Sequence, residues 1–289
     1  MKTLKEIIIG AEEKKVAVGH FNISDLTTLR AIGEAARELN VPVIIGTSEG
    51  EREFIDVHEA VSAVHDLREN HGLTVFLNAD HTHSLEKVKE AVAAGYDAIL
   101  FDGAKLPLEE NIRESKKVVE YVKLKNPDIL VEGELGYIGT SSQILKEIPK
   151  GAAIQEKDLT KPDEAARFVK ETGIDLLAPA VGNIHGMFRN APNPRLNIKR
   201  IREIREAAGI PLVLHGGSGI SDEDFLAAID AGISIIHINT EIRVAWRRGL
   251  EEGFEEKPEE VTPYKLMAEA QKQIKAVIVR RLKLFNQLN

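Results

Sequence analysis

The stretch AAGYDAILFDG, residues 93–103, passes from small helix-forming residues through a glycine into four apolar residues, then stops at an acid. A glycine at that junction suits a left-handed helix C-cap, and an unbroken apolar run suits a strand buried on both faces. The phrase recurs as ELNVPVIIG (38–46), ETGIDLLAPAVG (171–182), AAGIPLVLHGG (207–217) and DAGISIIHIN (230–239). Gly95, Gly173, Gly209 and Gly232 take the cap position, and Asn40 replaces glycine in ELNVPVIIG. Such repetition predicts helix and strand in alternation.

VAVGHFN (16–22), LTVFLNAD (73–80) and DILVEGELG (128–136) complete eight apolar runs, centred near residues 19, 44, 76, 100, 131, 178, 213 and 236. Amphipathic segments such as DLTTLRAIGEAARELN (25–40) and DEAARFVKE (163–171) lie between them. Ser84, Thr160 with Asp163, and Ser221 with Asp224 read as helix starts. Eight strands alternating with helices close most simply into an α/β fold of the (β/α)8 TIM-barrel type. An open doubly wound sheet is the alternative, but no early G-x-G-x-x-G turn supports it. Residues 1–289 read as one barrel domain, with 250–289 a C-terminal helical extension that includes PYKLMAEAQKQIKAVIVRRLKLF (263–285).

Composition narrows the chemistry. With 38 Lys+Arg against 46 Asp+Glu the chain carries net −8, which argues against nucleic-acid or anionic-membrane partners. An anionic ligand must therefore be held by local devices. There is no cysteine, so any metal must be held by imidazole and carboxylate. No apolar run approaches the ~20 residues of a membrane span, and the N-terminus does not read as a signal peptide. A cytoplasmic location is the expectation.

Barrel active sites form at the C-terminal ends of the strands. Those ends carry Asn22, Ser48, Asp80–His81, Asp102, Glu132, Glu134, Asn183, His185, His215 and His237–Asn239. His58, His65 and His71 fall on or after the second helix as surface rings, and His20 lies within the first strand as a packing or hydrogen-bonded ring. His81, His185 and His215 follow three different strands toward one mouth, the pattern of three imidazoles around an ion with an open position. Glu134 reads either as an alternate ligand or as a solvated loop acid. Asp80 is placed for proton transfer to a bound substrate, or else for orienting His81. His83, next to the Ser84 cap, reads as a bystander.

HGGSG (215–219) leads into the helix capped at Ser221, and a glycine-rich turn before a helix makes a phosphate nest. Gly186, Gly216, Ser218 and Thr240 are its candidate contributors.

Taken together, FNISDL, IIGTSEG, ADH (79–81), FDGA, VEGELG, AVGNIHG, LHGGSGIS and NTEIR resemble the class II, metal-dependent ketose-bisphosphate aldolases, the fructose- and tagatose-bisphosphate aldolase family, over nearly the whole chain. The resemblance implies Zn²⁺ (or Co²⁺) on His81, His185 and His215, with Glu134 as alternate ligand. It implies Asp80 as the group exchanging the substrate C4 hydroxyl proton, and Gly186, Gly216, Ser218, Asn239 and Thr240 around a phosphate. Asn22 and Ser48 join the substrate-binding candidates. A monovalent cation (Na⁺ or K⁺) near the phosphate and a homodimer or homotetramer are further implications, and the partner is a small phosphorylated ketose.

The chain departs from the family pattern in three places. Ser142 stands near the place of the acid that deprotonates dihydroxyacetone phosphate, and Glu147 is the nearest carboxylate downstream. Ile235, His237 and Asn239 replace a Lys-x-Asn-x-Asp pattern, and Gln271 replaces a tail-helix arginine that meets the far phosphate. Alternatives to aldol cleavage are another metal-dependent sugar-phosphate enzyme, an epimerase or hydrolase, or a non-catalytic sugar-phosphate-binding relative.

Overall fold

The computed structural model describes residues 2–139 and 142–288. Its strands are β1 (Val18–Asn22), β2 (Val43–Thr47), β3 (Val75–Thr82), β4 (Ala98–Phe101), β5 (Leu130–Leu135), β6 (Ile144–Leu145), β7 (Leu176–Pro179), β8 (Met187–Phe188), β9 (Leu212–Leu214) and β10 (Ile233–Ile238). Eight of them close into a barrel in the order β1-β10-β9-β7-β5-β4-β3-β2, and every pairing is parallel. β6 and β8 form a separate parallel pair above the barrel, linking the loops after β5 and β7. All eight predicted strand centres fall on or next to barrel strands.

Helices follow the strands, from Leu26–Leu39 after β1 to Thr240–Glu256 after β10, and Pro263–Phe285 extends the chain beyond the barrel. That last helix packs on Thr240–Glu256 and Leu26–Leu39. Among the described residues no helix is long and apolar enough to cross a membrane.

Asn40, Gly95, Gly173 and Gly209 adopt the left-handed cap that the recurring phrase predicts. Gly232 differs: the helix Asp222–Asp230 is capped by Ala231 in the right-handed region, and Gly232 takes φ +117° one residue later. Thr160 also differs. Its hydroxyl donates to Leu135 O and accepts from Ala180 N–H, tying β5 to β7 rather than capping a helix.

Strand alternation builds the barrel interior in layers. Val18, Ile44, Phe76, Ala98, Leu130, Leu176, Val213 and Ile235 form the layer nearest the N-terminal end. The helix Leu4–Glu13 closes that end with Leu4, Ile8 and Ala11, so the floor is sealed by apolar contact. Two residues further along the strands the interior turns polar: His20, Asn78, Glu132, His215 and His237 are all at most 5% exposed. Gly46 belongs to this layer, and a Cβ there would lie 2.1 Å from His20 Cε1, so the glycine makes room for the ring. A buried polar layer costs stability unless its groups find partners. Its position, directly beneath the open mouth, locates the candidate site.

Candidate active site

Asp80 and His81 are consecutive, and in a regular strand they would face opposite sides of the sheet. The β3–β4 register runs Asn78↔Ala98, Ala79↔Ile99, then Thr82↔Phe101, so β3 carries one extra residue. His81 sits in this bulge at φ +40°, in left-handed territory that non-glycine residues seldom occupy. The bulge turns both side chains into the mouth. Strain of this kind persists where the surroundings over-determine it, and here Asp102, Glu134, His185 and His215 crowd the ring.

His81, His185 and His215 each offer a ring nitrogen within 4.8 Å of the others. Their rings meet edge to face at centroid separations of 4.9, 5.0 and 5.9 Å. His81 Nδ1 bonds Asp102 Oδ2 at 2.9 Å, and His215 Nε2 bonds Glu132 Oε1 at 2.8 Å. A carboxylate on one nitrogen fixes the tautomer and frees the other as a ligand atom. His215 Nδ1 is accordingly buried without a partner, and His185 Nε2 and Glu134 Oε2 are buried and unpartnered as well.

The surrounding charges call for a cation. Burial, then repulsion from Asp102, pushes Glu134 up to about 8 against the pull of His81 and His215. Burial disfavours a charged His81, yet Asp80, the Asp102 hydrogen bond and Glu134 outweigh it and raise the ring to about 10. Burial and the neighbouring imidazoles His81 and His215 hold His185 far below the usual histidine range. Buried acids with unpartnered nitrogens are a donor set that fits a divalent ion. Other groupings share these residues: His20–Asp80–His237, Glu132–His215–His237 and His81–Asp102–Glu134. The first suits an ion poorly, because His20 and His237 stack at 3.4 Å and 4°, and lone pairs in parallel planes do not converge.

Asp80 is 3% exposed. Its Oδ2 accepts from Asn22 Nδ2 at 2.9 Å, while Oδ1 is buried with no hydrogen-bond partner. Burial opposes ionisation, but His81, His20, His215 and the Asn22 amide overcome it and hold the carboxyl well below the usual range. His237 reaches the same place, with Nδ1 3.6 Å from Asp80 Oδ1 and Nε2 buried and unpartnered.

Asp80, His81, Asp102, His185, His215 and His237 line one cavity of about 210 Å³ together with Asn22, Ser48, Gly186, Gly216, Ser218, Asn239 and Thr240, while Glu134 lies outside the lining. The glycine-rich turn is held from behind. Gly217 N–H donates to His237 O, Gly219 N–H donates to Glu241, and Ser218 Oγ accepts from Glu241 N–H. Gly216 has φ +62°, and a Cβ there would fall 2.2 Å from Ile184 O. Gly216→Ala is expected to weaken binding of inorganic phosphate roughly tenfold, the ~1.4 kcal/mol of one displaced hydrogen bond, and to lower the melting temperature. Isothermal titration and a thermal melt check this.

Several contributors carry no motif in the sequence. Asn193, in the turn APNPR, donates to Gly186 O and Ser218 O at 2.9 Å each, stapling two cavity loops. Arg243 is the sole arginine or lysine lining the cavity among the described residues. Asp102 and Glu132 prove to be the carboxylates behind two imidazoles. Other expected residues lie elsewhere: Glu147 is exposed and outside the lining, and Gln271 bonds Glu34 on the helix Leu26–Leu39. Ser142 lines the cavity. His83 stands at the rim, half-exposed, with Nδ1 3.3 Å from Asp102 O.

The family model for class II fructose-bisphosphate aldolase matches residues 2–289. The fructose-bisphosphate aldolase of Staphylococcus aureus (strain Mu50) is 36% identical over 292 residues, covering 99% of this chain and 98% of that protein. That of Geobacillus stearothermophilus is 36% identical over 286 residues, covering 98% and 96%. Among solved structures, the YdjI aldolase from Escherichia coli K12 superposes with a TM-score of 0.81 at 31% identity, covering 98% of this chain and 96% of that one.

Proposed function

The chain belongs to the class II fructose-bisphosphate aldolase family, and on that premise we propose that it cleaves fructose 1,6-bisphosphate or tagatose 1,6-bisphosphate reversibly to dihydroxyacetone phosphate and glyceraldehyde 3-phosphate. The observation that carries the reading is a buried, unpartnered carboxylate oxygen on Asp80, set in one cavity with three convergent imidazoles and a glycine-rich anion turn.

His81, His185 and His215 would hold Zn²⁺ or Co²⁺, with Glu134 as alternate ligand. A divalent ion bound there supplies positive charge beside the substrate ketone, where negative charge develops. The chain's own residues do the rest. Asp80 Oδ1 accepts the C4 hydroxyl proton as the C3–C4 bond breaks. The C4–O bond becomes the aldehyde, and the released electron pair leaves the other fragment as an enediolate. Gly186, Gly216, Ser218, Asn239 and Thr240 hold its phosphate, while Asn22 fixes Asp80 and Ser48 lines the same cavity. Glu147 would reach the cavity through movement of the loop after β5 and exchange the proton at the dihydroxyacetone phosphate carbon. An unchanged exchange rate in Glu147→Gln would remove that assignment.

Arg243 stands to meet the second phosphate. Arg243→Ala is expected to raise KM for a bisphosphate about 10–100-fold, the worth of a charge-assisted hydrogen bond, and to leave KM for the 1-phosphate alone unchanged. Equal effects on both substrates would place Arg243 elsewhere. A monovalent cation beside the phosphate, and a homodimer or homotetramer, complete the reading. Activity with Na⁺ or K⁺ replaced by a bulky organic cation, and mass by light scattering, test these. We also read residues 1–289 as one domain.

The deciding experiment offers both bisphosphates and their monophosphates to metal-loaded protein and identifies the products. Triose phosphates support the proposal. An epimerised or dephosphorylated sugar would replace it with the alternative enzymes, and tight binding of an enediolate mimic without cleavage would indicate a binding protein.

A further inference from the structure

We propose that Glu51 is a positioning residue for the carboxylate of Asp80, acting through the amide of Asn22; the proposal rests on the aldolase reading. Asn22 Nδ2 donates one hydrogen to Glu51 Oε2 at 2.8 Å and the other to Asp80 Oδ2 at 2.9 Å. A single amide group thus bridges two carboxylates. Flipping it would set the carbonyl oxygen against both, so the two acceptors together fix one orientation. Glu51 is itself held. Ser48 N–H donates to Oε2 at 2.8 Å, and Arg243 Nη2 pairs with Oε1 at 2.8 Å.

The consequence appears at Asp80. Its Oδ2 is occupied, so Oδ1 is the oxygen left without a partner, facing His81 Nε2 at 4.0 Å and His237 Nδ1 at 3.6 Å. The next residue, Arg52, secures the same strand end with its guanidinium, donating to the Asp80 main-chain O at 3.2 Å and the Thr82 hydroxyl Oγ1 at 3.0 Å. One turn of the helix Glu49–Ile55 therefore grips Asp80 by side chain and main chain together. A helix-capping role alone needs only the Ser48 N–H contact, which an exposed glutamate can make. Glu51 is instead 7% exposed and aimed at Asn22.

Removing the acceptor leaves one Asn22 N–H buried and unpaired, frees the amide to turn, and frees the Asp80 carboxylate with it. Glu51→Leu is expected to lower kcat for cleavage about 10–100-fold, the usual cost of losing a partner one contact removed from the chemistry. Proton exchange into dihydroxyacetone phosphate, which does not use Asp80, and bound metal should be unchanged. Glu51→Gln should keep most of the cleavage kcat, because its one amide oxygen can accept both bonds now received by Oε2, while the half-exposed Arg243 can turn away from the amide nitrogen that replaces Oε1. In an Asn22→Ala background, Glu51→Leu should slow cleavage no further. Glu51→Ala serves the same purpose if leucine is not accommodated.

Wild-type kcat in Glu51→Leu overturns the proposal, as does a parallel loss of exchange, a Glu51→Gln variant as slow as Glu51→Leu, or additive losses in the double variant. A wild-type chain that cleaves nothing overturns the aldolase reading and this proposal with it. An active wild type beside an equally active Glu51→Leu overturns this proposal alone.

Discussion

Stripping the protein of divalent ions with a chelator is expected to abolish carbon–carbon cleavage, and Zn²⁺ or Co²⁺ to restore it. The expectation comes from the donors. Asp102 and Glu132 occupy one nitrogen each of His81 and His215, which leaves the opposite nitrogens of these rings for a ligand role. His185 Nε2, His215 Nδ1 and Glu134 Oε2 are buried with nothing to bond, a costly arrangement for a folded chain unless a bound group repays it. Glu134 is driven up to about 8 by burial and by Asp102, so the cluster cannot keep all its acids ionised without added positive charge. Elemental analysis should find one equivalent of ion per chain, lost in His185→Ala. The melting temperature should fall on chelation, since an ion that binds only the folded state at 100 times its Kd contributes about 2.7 kcal/mol. Full turnover in chelator, by protein free of metal, would overturn this account.

The barrel was legible because its signal is local. A glycine or asparagine near the helix end followed by an apolar run marks five of the eight αβ junctions within about ten residues, and parallel strands buried on both faces leave no polar alternation to confuse them. The gathering of His81, His185 and His215 was legible for a related reason: each lies at or beyond the C-terminal end of a strand, and closure brings strand ends together. What stayed hidden depends on two distant segments at once. The bulge that turns Asp80 and His81 to one side is a mismatch between β3 and β4, invisible in either strand alone. The Glu132–His215 pair spans 83 residues. Glu51 and Arg52 in EGEREF (49–54) belong to no motif, yet both are buried and bond Asn22 and the Asp80 main chain. Thr160 offered a plausible cap by spacing, but its hydroxyl found better partners in Leu135 and Ala180. His20 follows the same logic, since only Gly46 on the neighbouring strand creates the space its ring fills.

Asp80→Asn should reduce kcat for cleavage by about 10²–10⁴, the range for losing a positioned general base, with KM and bound metal little changed. The substitution preserves volume, and asparagine can still offer an oxygen to Asn22 Nδ2, so the strand end keeps its hold. What it loses is specific. The unpartnered Oδ1 becomes either an amide nitrogen, which cannot take a proton, or an amide oxygen far too weakly basic to do so. The Asn22 amide and the neighbouring imidazoles favour the ionised carboxyl of Asp80 against burial, the form a proton acceptor needs. Exchange of the dihydroxyacetone phosphate proton should continue in Asp80→Asn, since that half-reaction makes no use of the C4 hydroxyl. This separates the two roles open to Asp80. A residue that merely orients His81 would, when replaced, loosen the ion and slow exchange and cleavage together. A proton acceptor would slow cleavage alone.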